Sequence, residues 1–330
     1  MRKIVGVLLI AILCIFSISA CNKPEAVVND NPEVVTGEEE RLEEAKVYTF
    51  GFSCITMDNP YFIALEKALK DSLEAEGHTL ITKDAKSDCM LQNEQIDELI
   101  EAEVDAVFVA PVDWIEIEPS LDKLNDAGIP IINLDTQVQA FDKIDAYVGS
   151  NNSKAGYTCG KDLLERIPTG GKIILVECPN RNSINERIKG FERAIAKKGF
   201  EVVARIDAKG DLDVALPEVE AALREHPGVV AIMCGNDPTA IGAVVAANNV
   251  GTRDLIIYGI DGSPDVKKEI AKDGSLIVAT VAQSTETIGK EAVSVTLKML
   301  ADEKYKAITY IDTFFITKDN IAEYDINSWQ

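Results

Sequence analysis

LIIYGIDGSPDV, residues 255–266, carries the pattern that decides the fold class. A nearly unbroken apolar run reads as a strand buried on both faces. It ends in Asp261-Gly262, a turn pair, and Ser263 stands before Pro264 as a helix cap would. The same pattern of apolar run, polar end and amphipathic segment recurs along the chain. Earlier runs are KVYTFGF (46–52), TLITKDA (79–85), AVFVAP (106–111), IPIINLD (129–135) and AYVGS (146–150). The others are KIILVEC (172–178), FEVVARIDA (200–208), VVAIMCG (229–235) and IVATVAQ (277–283). Amphipathic segments lie between them, and several stop at a glycine: Gly77, Gly128, Gly199 and Gly274. The fold class is therefore α/β, with parallel sheets covered by helices on both faces.

The 330 residues, 46% hydrophobic and only 6% aromatic, fit one large or two medium layered domains. Ten strands could form one wide sheet or two smaller ones. After IPIINLD a polar loop breaks the rhythm, then AYVGSNNSKAG opens a new helix, and the chain divides there. Lys plus Arg number 33 against 55 Asp plus Glu, a net charge of −22. Such a surface repels phosphate backbones, so a nucleic-acid partner is excluded.

The amino terminus reads differently. Arg2 and Lys3 precede an apolar run from Ile4 to Ala20 that ends in small residues, the pattern of an export signal over residues 1–20. Residues 22–45 are rich in acids, Asn and Pro, a solvated tether with room for a short helix in GEEERLEEA. No second long apolar run follows, which places the remaining chain in solution outside the cytoplasm. Cys54, Cys89, Cys159, Cys178 and Cys234 are far apart and mostly set in apolar runs. They read as small buried hydrophobes, and no Cys/His spacing suggests a metal site.

In open parallel sheets ligands bind beyond the carboxyl ends of the strands. Those ends carry Asp58-Asn59-Pro60-Tyr61-Phe62, Asp135, NRNSINER with Arg187, Gly235-Asn236-Asp237-Pro238, Asp261 and Gln283. Taken singly, Asn59, Asp237 and Ser263 before prolines read equally well as helix caps, and the aspartates as turn residues. Together they form a set of planar carboxylate, amide and guanidinium groups, each able to hold two neighbouring hydroxyls. Tyr61 and Phe62 would add an apolar face for ring C–H groups. Their structural alternative is core packing, because Phe62, Leu65, Leu69 and Leu73 share one helical stripe.

DNPYF, INLDTQ, YVGSNN, NERIKGFERA, GNDPTAIGAV, YGIDGSPDV and ATVAQ follow one another from residue 58 to 283. In that order and spacing the chain resembles the periplasmic sugar-binding proteins of the ribose/galactose type, which serve ABC importers. The resemblance spans about residues 46–330 and implies two doubly wound domains around a ligand cleft, joined by a three-strand hinge. Crossings fall near Ser150-Asn151, Gln283-Ser284 and Asp312-Thr313, giving lobes of 46–150 plus 284–312 and 151–283 plus 313–330. Matched motif by motif, the implied ligand contacts are Asn59, Tyr61, Phe62, Asp135, Arg187, Asn236, Asp261 and Gln283. Ile18-Ser19-Ala20-Cys21 likewise resembles a lipoprotein cleavage site, implying a lipid anchor on Cys21.

The chain departs from ribose binders at Thr136, where they carry arginine, and at Ala110, where they carry asparagine. The segment that brings their second stacking aromatic reads AKGDLDVA here, with Gly210 or Leu212 near that place. Trp114 is a candidate replacement, or an ordinary residue at a helix start. The expected ligand is a pentose, hexose or polyol, taken up by a monomer without cofactor and delivered to a membrane permease. A sensor presenting its sugar to a receptor is the alternative. An enzyme is disfavoured: no Ser/His/Asp arrangement is visible, and TGGK (169–172) precedes a strand without phosphate-loop spacing.

Overall fold

The computed structural model describes residues 46–330; the expectations of an export signal, a lipid on Cys21 and an acidic tether with room for a helix fall outside the described residues. Two six-stranded sheets organise the chain. In spatial order the first holds β11 (Ile308–Ile311), β5 (Ala146–Ser150), β4 (Ile131–Leu134), β3 (Ala106–Val109), β1 (Thr49–Cys54) and β2 (Thr79–Asp84). The second holds β12 (Phe314–Thr317), β10 (Ile277–Ala282), β9 (Ile256–Asp261), β8 (Val229–Cys234), β6 (Gly171–Glu177) and β7 (Phe200–Asp207). Neighbours run parallel except at β10–β12, which is antiparallel. The cause lies in the connection. β11 ends in the first sheet, and only Asp312 and Thr313 separate it from β12, so the chain enters the second sheet from the opposite direction.

Helices fill both faces, as the continuous apolar strands require. In β3, Phe108 joins the core beneath α1 (Pro60–Ala75) and α9 (Thr285–Leu300), while Val107 and Val109 pack against α2 (Cys89–Glu101) and α3 (Glu118–Asp126). The second sheet is covered on one face by α4 (Asn152–Arg166) and α5 (Asn182–Ile195). Its other face carries α6 (Leu212–Glu225), α7 (Asp237–Val250) and α8 (Pro264–Ala271). Gly77 and Gly128, just past α1 and α3, take positive φ of 81° and 69°, the left-handed conformation that ends a helix. Four of the cysteines are buried, and Cys89 at the start of α2 is half-buried.

The chain passes between the sheets three times: from Ser150 to Asn152, from Ala282 to Thr285 and from Ile311 to Phe314. β11 and β12 went unread in the sequence because ITYI and FFIT are edge strands of only four residues, partly exposed and separated by two residues. Among the described residues, no helix is long and apolar enough to cross a membrane.

Candidate ligand site between the two sheets

Seven of the eight sequence-predicted residues line one cavity: Asn59, Tyr61, Phe62, Asp135, Arg187, Asn236 and Asp261. The cavity they enclose is narrow, about 20 Å³, and is bordered also by Arg181, Ser183 and Ile184. Gln283 stands one step back, its amide donating to Asp261 Oδ1 at 2.8 Å. Trp114 is half-buried and off the cavity wall; its backbone N–H donates to the Asn180 carbonyl at 3.1 Å. Trp329, unremarked in the sequence, instead packs edge-on to Tyr61 with ring centroids 5.9 Å apart.

The helix-capping reading and the site reading are satisfied together. Asn59 caps α1 by accepting from the Tyr61 N–H at 3.0 Å, and Asn236 caps α7 by accepting from Thr239. Asn236 Nδ2 also donates to the Gly210 carbonyl at 2.9 Å, which ties the loop before α6 to the cavity. Asp237 is not the cap of α7 but its first residue. Its buried carboxylate accepts from the Ser263 N–H at 2.7 Å and from Thr280 Oγ1 at 2.8 Å. Phe62, Leu65, Leu69 and Leu73 form the buried stripe of α1 as expected, and Tyr61 is buried beside them.

The two strand-end aspartates sit on strained backbone. Asp135 has φ of 56° and Asp261 of 147°, regions that L-residues rarely occupy and that cluster at functional sites. Tyr147 Oη donates to the Asp135 carbonyl at 2.9 Å, and the Gln283 N–H to the Asp261 carbonyl at 2.9 Å, holding both turns. Arg187 lies between the carboxylates. Its guanidinium is 3.3 Å from Asp261 and 3.9 Å from Asp135. Asn152 Oδ1 accepts from Nε at 2.8 Å and the Gly235 carbonyl from Nη1 at 2.9 Å, fixing the plane of the group.

Burial pushes the Asp261 carboxyl up to about 7, against the opposing pull of Arg187. Burial likewise raises Asp237, and raises the Tyr61 phenol with help from Asp135. Three buried polar atoms here have no partner: Tyr61 Oη, Arg181 Nε and Gln283 Oε1. A cavity that combines strained carboxylates, a fixed guanidinium, amides and unpaired buried donors and acceptors suits a small molecule dense in hydroxyls. Among the described residues, no group of three His, Cys, Asp or Glu side chains could hold a metal ion.

Sequence reasoning missed Arg181, Ser183 and Ile184. They stand in NRNSINER, Arg181 as the residue before α5 and Ser183 and Ile184 in its first turn, where a polar stretch gives no sign of which residues turn inward; only burial reveals them.

Two open α/β sheets whose strand ends share one polar cavity define a two-sheet ligand-binding protein. The family model described as periplasmic binding protein domain matches residues 50–304. The chain belongs to that family. The ribose import binding protein of Bacillus subtilis (strain 168) is 32% identical over 260 residues, which is 78% of this chain and 84% of that protein. A solved ABC transporter solute binding protein from Bacillus halodurans C-125, with bound myo-inositol, is 27% identical with a TM-score of 0.77. It covers 84% of this chain and 96% of its own. Another from Mycobacterium smegmatis, with bound glycerol, is 26% identical with a TM-score of 0.80 over the same shares.

Proposed function

We propose that this chain is the solute-binding component of an ABC importer, taking a monosaccharide or related polyol into the cavity between its sheets. The observation that carries the reading is the convergence of Asp135, Arg187 and Asp261 on one cavity whose buried Tyr61 hydroxyl lacks a partner. Relatives named for ribose import, and solved with myo-inositol or glycerol, support a small polyhydroxylated ligand. The task is binding, with no covalent step. Asp135, Arg187 and Asp261 take most of the hydroxyls; Asn59, Asn236 and Gln283 complete the polar contacts, and Tyr61 and Phe62 supply the apolar wall.

Residues 46–150 with 284–312, and 151–283 with 313–330, act as two lobes that close on the ligand as a monomer. Closure follows from the ligand's greater affinity for the closed form, whose surface the permease recognises. A lipid on Cys21 tethers the protein outside the cytoplasm, and Cys21→Ala should abolish incorporation of labelled fatty acid. The importer role is tested by uptake. Cells lacking the protein should lose uptake of the sugar it binds; unchanged uptake of that sugar would contradict the importer role.

A further inference from the structure

Arg181 stands in the polar stretch NRNSINER, yet it is only 7% exposed. It immediately precedes α5 and borders both the cavity and a larger groove of about 820 Å³ shared with Asn59, Gly210 and Trp329. Its Nε has no hydrogen-bond partner. Arg187 has two carboxylates within 4 Å, whereas Arg181 forms no ion pair with any described carboxylate. Gly210 makes room for it. A Cβ there would lie 2.6 Å from Arg181 Nη1 and 3.2 Å from Asn236 Nδ2, and the glycine φ of 70° disfavours any side chain.

A buried N–H without a partner costs stability, so stability does not account for the placement of Arg181 Nε. Guanidinium N–H groups only donate, so the missing partner must carry lone pairs. We propose that Arg181 is a ligand-contacting, specificity-determining residue that donates to oxygens on the side of the ligand facing the groove. The inference rests on the reading of the cavity as a sugar site, and it narrows the ligand. A molecule presenting hydroxyl, ring or carboxylate oxygens to Arg181 is selected over one presenting C–H groups there.

The test compares the full chain with Arg181→Met, which keeps length and loses charge and donors, and with Arg181→Lys. Titration against neutral sugars, polyols and the corresponding sugar acids is paired with ligand-free thermal unfolding. Arg181→Met should leave the ligand-free midpoint unchanged or raised, and weaken the best ligand by roughly tenfold or more, with Arg181→Lys in between. Strongest binding by sugar acids identifies a carboxylate as the partner of Arg181; strongest binding by neutral sugars or polyols identifies a hydroxyl or ring oxygen. A ligand-free midpoint several degrees lower, or wild-type affinity in Arg181→Met, overturns the proposal. If the wild-type chain binds nothing in the panel, the sugar-site reading fails, and the Arg181 proposal falls with it.

Discussion

Thr136 Oγ1 and Ser183 Oγ lie 2.7 Å apart, linking the loop after β4 of the first sheet to α5 of the second. Thr136 also donates to Asp135 Oδ2 at 3.1 Å, so its single proton is committed and Ser183 donates to Thr136. The relay runs from one sheet to the strained carboxylate of the other. Two more bonds join the segments separately, linking the loop after β3 to the loop before α5: the Trp114 N–H donates to the Asn180 carbonyl and Asn180 Nδ2 to the Val112 carbonyl, both at 3.1 Å. Ser183→Ala removes the relay without touching the fold of either sheet. It should weaken ligand binding by about 3- to 10-fold, the worth of one hydrogen bond, in isothermal titration. Unchanged affinity would show that the contact plays no part in closure.

Asp261 gives the site a pH dependence. Its carboxyl titrates near 7 in the folded chain and near 3.8 when unfolded, so the native state holds the extra proton between those values. Stability of the ligand-free protein from this group therefore rises as pH falls from about 7 toward 4. Ligand hydroxyls donating to the carboxylate favour its ionised form, so affinity should move the other way and fall below pH 7. Titrations in two buffers of different ionisation enthalpy should record proton release on binding at pH 6. Proton uptake would reverse the assignment.

Much of this was legible in the sequence, and the limit is physical. Eight of the ten strands read in the sequence are buried apolar runs between polar ends, and the half-exposed edge strands β2 and β7 were carried by their alternation with helical segments. The aspartates Asp135 and Asp261 showed themselves because a strand end is a place where a carboxylate needs a reason. Arg181 could not be read, since a cation in a polar loop has the same local pattern whether it faces solvent or a cavity. Trp329 was hidden similarly: its packing on Tyr61 depends on a tail anchored far away in sequence.

That anchor is Lys267 in α8, fully buried, donating to the carbonyls of Asp325 at 2.6 Å and Ser328 at 2.5 Å and to Gln330 Oε1 at 3.2 Å. Lys267→Met leaves those acceptors unpaired, at a cost of about 1–3 kcal/mol, and frees the tail. Urea unfolding should show the loss. The fluorescence of the chain, which has only Trp114 and Trp329, should shift as Trp329 leaves Tyr61. A native-like spectrum with full stability would show that the tail is held otherwise.

Gly190 on α5 meets α4 so closely that a Cβ would lie 2.1 Å from the Ser153 carbonyl oxygen. Asn152 on α4 orients Arg187 on α5, so parting these helices also displaces the guanidinium. Gly190→Ala should destabilise the protein by about 1–3 kcal/mol, as overpacking does, and weaken ligand binding in parallel. Thermal unfolding and titration on the same sample would separate the two effects.

The central claim is that the cavity between the sheets binds a sugar through Arg187 and its two carboxylates. Isothermal titration of the wild-type chain and Arg187→Ala against pentoses, hexoses and polyols tests it most directly. One ligand should bind the wild type at one site per chain, and at least roughly tenfold more weakly to the variant, since buried carboxylates lose their partner. Equal affinity in both proteins would contradict the account.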